Sequence, residues 1–365
     1  MTGQQQAGPA AAAAQLARAV ATLRAGGVVA FPTETVYGLG ADATRPEALE
    51  RVYALKGRPR SHPLIVHLPD ANAARAWAIA WPEGALRLAA SFWPGPLTLV
   101  LPRSSIAPDA VTGGQDTVAL RVPSHPVARA LLRAFGGAIA APSANRYGHV
   151  SPTRAAHVRE EFGDTVPVVL DGGDCEVGLE STIVACLGGR LVLLRPGAIT
   201  PGALREAADG LPLIVGPAGP DADTANATAP EPAPALPRTP GSTPAHYAPR
   251  TPLSLVEGVH IAAGARARAA SGLRVGVLAR RAAPAGLPPA IHWLAAAPDA
   301  ARFGHDLYAQ LRDLDRLGLH HLLVEHVPAG EAWDAARDRL ARAAAGTAGP
   351  QSTGSTADNP NGDLP

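Results

Sequence analysis

Residues 216–242 of this 365-residue chain read GPAGPDADTANATAPEPAPALPRTPGS, and a stretch of that kind cannot enter a folded core. Proline removes backbone donors, and Ala, Gly, Asp and Thr bring too little apolar surface to offset the entropy lost on ordering. The pattern is lost over residues 203–249, read here as an interdomain linker. What lies on either side must fold as two units, a division that chain length also favours. The expected boundaries are 10–202 for the first domain and 250–346 for a smaller second one. Residues 347–365, TAGPQSTGSTADNPNGDLP, are polar and expected to be a disordered tail.

Within the first unit, Leu16, Val20 and Leu23 predict a helix from Ala10 to Ala25, stopped by Gly26-Gly27 and followed by the strand VVAF. Helices and strands then follow in mixed order: PEALERVYALKG, LIVHL, ALRLAASFW, LTLVLP, TVALRVP, HPVARALLRAFGG, AIAAPSAN, PVVLDGG, STIVACL and RLVLLRPG. Several strands succeed one another without a helix between them, which predicts an α/β fold with a mixed sheet. In the second unit LRVGVLAR, AIHWL and HHLLVEHV read as buried strands alternating with helices. The plainest helix runs from Asp299 to Leu317, with Phe303, Leu307, Leu311 and Leu314 on one face. That pattern predicts a small open α/β domain.

A formal net charge of +1 supplies no field for gripping a nucleic-acid backbone, so a pure RNA-binding module is disfavoured and any RNA contact is local. Cys175 and Cys186 lack the spacing of a zinc cluster, and a reduced cytoplasm is the simpler expectation. The opening MTGQQQAGPAAAAAQLARAV has no basic leader and no membrane-length apolar run, so neither export nor a span is expected.

Of the 32 lysine and arginine residues, 31 are arginine and one is Lys56, in KGRPRSHPL. Whatever bias favours arginine elsewhere has spared a position that calls for a compact ammonium on a slender stem, as a phosphate pocket does. The bland alternative is a helix-end cation before Gly57, a role arginine fills equally well. Arg58, Arg60 and His62 beside it suit a polyphosphate, and equally a solvated basic loop. Gly38-x-Gly40-x-x-Ala43 superficially matches a dinucleotide fingerprint. TETVYG, however, separates it from the preceding strand, and basic KGRPR follows where an acidic residue is required. There is no G-x-x-x-x-G-K-[ST] and no G-x-S-x-G.

In AIAAPSANRYGHVSPT a buried strand opens into a loop bearing Ser143, Asn145 and Ser151, suited to phosphate oxygens or to capping a helix that starts near Thr153. Ser181 and Thr182 open one strand, and Arg195 ends another. His320, His321 and His326 lack partners at metal spacing and read as structural or surface residues; no metal ligands are expected.

GGVVAFPTETVYGLG, ALKGRPRSHPLIVHL, FWPGPLTLVL, TVALRVPS, APSANRYGHVSPT, GLESTIV and LLRPG follow one another in the order and spacing of the YrdC-like family. The pairs Lys56/Arg58 and Ser143/Asn145 resemble its nucleotide-binding signature. The linker end PGSTPAHYAP and the domain beyond it resemble the longer, two-domain threonylcarbamoyl-AMP synthases of that family. The resemblance implies a twisted mixed α/β domain with a charged cavity, followed by a Rossmann-like domain. It also implies a nucleotidyltransferase that joins L-threonine, bicarbonate and ATP, with Mg²⁺ accompanying the ATP. The product would be threonylcarbamoyl-AMP, passed to a downstream transfer machinery that modifies tRNAs reading ANN codons, with at most a weak tRNA contact.

By the same resemblance, Thr35, His67, Arg121, Ser181 and the backbone at Ala141 fall at threonine-contacting positions. Lys56, Arg58, His62, Thr117, Ser143, Asn145, Ser151 and Arg195 fall at ATP positions, with Lys56 and Arg58 the catalytic pair. Tyr247 would cover the nucleotide, as part of a linker acting as lid. The alternatives are a carbamoyl-adenylate enzyme with another acceptor and an RNA-binding or ribosome-assembly factor of the same fold.

Overall fold

The computed structural model describes residues 8–215, 236–241 and 243–347. Nine strands of the first unit are β1 (Val29–Phe31), β2 (Gly38–Asp42), β3 (Ile65–His67), β4 (Leu97–Pro102), β5 (Thr117–Arg121), β6 (Ile139–Ala140), β7 (Thr182–Leu187), β8 (Arg190–Arg195) and β9 (Leu213–Val215). They form one sheet in the order β1-β2-β6-β3-β5-β4-β7-β8-β9. β3/β5, β4/β7 and β8/β9 are parallel and the other neighbours antiparallel, so the sheet is mixed as its pattern predicts.

Local chemistry fixes the helices that flank it. Pro46–Lys56 begins on a proline, whose missing N–H is no loss in a first turn, and ends where Gly57 turns left-handed at φ 65°. Pro126–Phe135 repeats the device, with His125 Nδ1 accepting from the Val127 N–H at 3.2 Å and Gly136 at φ 74°. In β2, a Cβ on Gly40 would lie 2.6 Å from Ile139 and 2.7 Å from Phe31. The glycines that superficially resemble a dinucleotide fingerprint thus sit within a strand, and Gly40 is there because flanking side chains close over it.

Three sequence expectations need correction. PVVL holds only an isolated bridge, Ala30 to Val169, because its backbone meets the edge of β1 at a single point. The first sheet does not stop at residue 202. Helix Pro201–Ala208 and edge strand β9 carry it to Val215, within the segment read as linker. β9 is three residues long and half exposed, which leaves little pattern to read. The last helix, Asp334–Thr347, reaches one residue into the segment read as tail. The expected disorder of the rest of that tail, and much of the linker, lie outside the described residues.

The second unit holds β10 (Leu253–Val256), β11 (Val275–Ala279), β12 (Ile291–Ala295) and β13 (His321–Glu325), all parallel, in the order β10-β13-β11-β12. Val275, Val277, Ala279 and Leu323 pack with Ile261 and Ala265 of helix Ile261–Ala270. Leu278, Leu322 and Val324 pack on the other face with Phe303 and Leu307 of Ala300–Asp315 and with Leu340 of the last helix. Helices cover both faces, which is why the strands read as continuous apolar runs. The second cluster also takes in Val36, Val150, Leu179 and Tyr247, so the small domain docks against the first through a shared core.

Candidate active site

A cleft with about 500 Å³ free of protein atoms opens where the first sheet meets Pro240, Gly241, His246 and Tyr247. Thr35, His67, Arg121, Ala141 and Ser181 line it, and so do Arg58, Ser143, Arg195 and Tyr247. The strand register explains much of this convergence. His67 and Arg121 are paired at the ends of parallel β3 and β5, and Arg195 ends β8 opposite Ile183. In open α/β sheets, ligands gather at such strand ends.

Three guanidiniums face the cleft. Arg195 donates Nε and Nη2 to the Ser181 carbonyl at 3.1 and 2.9 Å, Nη2 to Ser181 Oγ at 3.1 Å, and Nη1 to the Pro240 carbonyl at 2.8 Å. Arg58 is tied back by Nη2 to the Pro63 carbonyl at 2.9 Å. Arg121 Nη2 forms an ion pair with Glu34 Oε1 at 2.8 Å, and among the described residues its buried Nε has no hydrogen-bond acceptor. Burial would raise the Glu34 carboxyl, yet Arg121 holds its pKa below the ordinary value, so it stays ionised.

Polar neutral groups fill the space between. Thr35 Oγ1 lies 2.8 Å from Thr33 Oγ1, and Ser181 Oγ 2.7 Å from Thr98 Oγ1. Burial, aided by Arg121, lowers the His67 pKa to about 3, so the ring is neutral. Nδ1 lies 3.2 Å from the Ile65 carbonyl and must donate to it, which assigns the lone pair to Nε2.

Five residues expected at the nucleotide do not line the cleft. Lys56 is buried, and its ammonium donates to the Ser143 carbonyl at 2.6 Å and to the Asn145 carbonyl. The lysine therefore ties down the S-x-N loop from behind. Burial drives its pKa well down, with Arg58 adding to the effect. Asn145 sits within the same loop, its Nδ2 donating to the Arg146 and His149 carbonyls at 2.7 and 3.0 Å. Ser151 Oγ donates to Glu180 Oε1 at 2.5 Å. His62 faces Tyr147, with Nδ1 3.3 Å from the phenol oxygen, and burial followed by Arg58 lowers its pKa. Thr117 is half-buried at the start of β5, opposite Pro102.

Sequence reasoning also missed Glu180, a buried cleft residue that takes Ser151, the Tyr308 hydroxyl at 2.9 Å and Arg339 Nε at 2.8 Å. Its signal was a carboxylate between Leu179 and Ser181 in an otherwise apolar and hydroxyl run. Burial opposes ionisation, but Arg339 and then Arg195 bring its pKa down to about 2.

Pro240, Gly241, His246 and Tyr247 close the cleft as a strap. Gly241 is left-handed at φ 79°, and a Cβ there would overlap the Tyr247 hydroxyl at 2.0 Å, so only glycine lets the chain cross. The closed strap leaves about 40 Å³ of water-accessible space, room for a few waters. Tyr247 itself is left-handed at φ 61°, and its buried hydroxyl has no hydrogen-bond partner among the described residues.

Residues 21–197 match the family described as "Telomere recombination", and residues 199–345 match "Threonylcarbamoyl-AMP synthase, C-terminal domain". The threonylcarbamoyl-AMP synthase of Pyrococcus abyssi is 36% identical over 327 residues, covering 88% of this chain and 91% of that one. This chain belongs to the threonylcarbamoyl-AMP synthase family. The Bacillus subtilis synthase is 44% identical over 248 residues, 67% of either chain. Within the same family, the crystal structure described as P. abyssi Sua5 complexed with L-threonine superposes with a TM-score of 0.80 at 36% identity, covering 91% of this chain and 94% of that one. Both domains of a synthase are therefore present, in the family's order. Among the described residues no helix is long and apolar enough to cross a membrane, and no cluster of His, Cys, Asp or Glu is placed to hold a metal ion.

Proposed function

We propose that the cleft converts L-threonine, bicarbonate and ATP to threonylcarbamoyl-AMP and pyrophosphate, supplying the activated group for threonylcarbamoylation of tRNA. One observation carries the reading. Two buried donors without acceptors among the described residues, Arg121 Nε and the Tyr247 hydroxyl, line one cleft that also holds Arg58 and Arg195. Such groups are costly unless a ligand completes them.

Arg121 is the group to clamp the threonine carboxylate through two parallel bonds. The lone pair on His67 Nε2 and the hydroxyls of Thr35 and Ser181 recognise the side-chain hydroxyl. Threonine's amine and bicarbonate condense to N-carboxythreonine with loss of water. Its carboxylate attacks the α-phosphorus of ATP, a new O–P bond forms, the α–β bridge breaks and pyrophosphate leaves. No enzyme-bound covalent intermediate is required. Arg58 and Arg195 are suited to the charge on the departing pyrophosphate, and the closed cleft shields the labile carbamate from water. The cleft carboxylates Glu34 and Glu180 are both held by arginines, so Mg²⁺ would enter as part of the MgATP substrate. Because the closed strap leaves so little room, residues 243–247 must swing aside for ATP, acting as a lid.

The same cleft would suit a carbamoyl adenylate with another acceptor, but family membership over both domains favours threonine. Mass spectrometry of the product formed with ¹³C-bicarbonate tests the reading. One label in a threonylcarbamoyl adenylate is expected; an adenylate with no label, or labelled product formed equally well without threonine, contradicts it.

A further inference from the structure

The last helix, Asp334–Thr347, belongs to the small domain, yet two of its side chains, Arg339 and Arg342, end at the cleft or on the strap that closes it. Arg339 is buried and donates Nε to Glu180 at 2.8 Å, joining Tyr308 and Ser151 on the same carboxylate. Its guanidinium also lies over the Tyr247 ring, 5.1 Å from the centroid, and Tyr308 stacks on that ring at 5.9 Å. Asp338 accepts from Arg339 Nη1 at 2.6 Å and from Arg342 Nε at 2.9 Å. Arg342 Nη1 then donates to the Thr243 carbonyl at 2.6 Å, and the His246 N–H donates to the Arg342 carbonyl at 3.3 Å. Gly346 lets the helix lie against the strap, since a Cβ there would meet that of Ala248 at 2.9 Å.

Burying this many charges is expensive, and an interface that needed only stability would be served as well by apolar contacts. Nor does Tyr247 hold its left-handed backbone unaided, because a bulky residue there is strained unless its surroundings impose it. What imposes it is the small domain: the arginine over one ring, the stacked Tyr308 and the two bonds to the strap.

We propose that Arg339, supported by Asp338 and Arg342, is a positioning residue for the nucleotide side of the cleft. It sets Glu180 and Tyr247 so that the small domain completes a site the first domain leaves unfinished. The proposal rests on the synthase reading above. It predicts an asymmetry, because Thr35, His67 and Arg121 stand on strands and turns of the first domain alone, whereas the strap and Glu180 depend on the last helix.

The test uses the full chain carrying Arg339→Lys or Arg342→Ala. The first keeps the charge but loses the planar fork; the second removes one tie to the strap and one of the two arginine bonds on Asp338, and leaves Arg339 on Glu180. KM for ATP and KM for L-threonine are measured by pyrophosphate release, thermal midpoints are recorded, and hydrogen exchange is followed over residues 243–248. The expected result is a rise of about tenfold or more in KM for ATP, a change of no more than about twofold for threonine, and faster exchange in the strap. If both constants stay at wild-type values, or move together in step with a lowered midpoint, the helix is only a structural brace and the proposal fails. Should Arg339→Lys not fold, Arg342→Ala decides alone. A wild-type protein that releases no pyrophosphate with threonine would overturn the synthase reading instead. The strap exchange comparison then judges the positioning claim by itself.

Discussion

Lys56 carries the chain's one ammonium into the interior and spends it on two backbone carbonyls of the Ser143–Asn145 loop. A lysine stem is slender enough to reach between them; a guanidinium is planar and wider, and would force the loop outward. Lys56→Arg is therefore expected to lower stability by about 1–3 kcal/mol through overpacking and lost hydrogen bonds, and to reduce turnover by displacing Ser143. Chemical denaturation and pyrophosphate release check it, and wild-type values in both would refute it. Composition alone singles out position 56 as needing an ammonium. It does not say which oxygens receive it, because a phosphate and a pair of carbonyls ask for the same compact cation. Arg58, Arg121 and Arg195 were legible only as members of motifs, since each is one arginine among 31.

The strap is an element held by charge, and its charge balance is pH-dependent. Glu180 has a folded pKa of about 2 against an ordinary 4.5, with burial opposing and Arg339 and Arg195 more than offsetting it. A depressed carboxyl contributes stability that is present above the unfolded value and lost as pH falls through the folded one. Docking of the last helix and strap should thus weaken as pH drops from 4.5 towards about 2. Protection over residues 243–248, taken as exchange relative to the intrinsic rate at each pH, is expected to fall across that window in the native chain and to lose the dependence in Glu180→Gln; an unchanged profile in the variant would exclude Glu180 as the cause. Long, strongly periodic elements were readable in advance: the helix read over Asp299–Leu317 is found over Ala300–Asp315, with Asp299 as its cap. β9 and the single bridge at Val169 were not, because an edge strand of three residues and one paired position carry no period. The strap was legible only through the resemblance, which put Tyr247 over the nucleotide; its order comes from partners about a hundred residues away in sequence, as Arg342 on Thr243 illustrates.

Across the whole molecule, the Pro- and Ala-rich segment divides two sheets without separating two functions. The shared core runs from Val36 and Leu179 to Phe303 and Leu340, and the buried Glu180–Arg339 pair lies beside it. With a net charge of +1 the surface as a whole attracts no polyanion, and the positive charge that matters is gathered in one cleft. On the proposed reading, this cleft brings threonine, bicarbonate and ATP together for one in-line displacement. Pyrophosphate release by the purified full chain, measured with all three substrates and with each omitted in turn, is the decisive measurement. Release is predicted only when L-threonine and bicarbonate are both present with MgATP, and equal release without either one would contradict it.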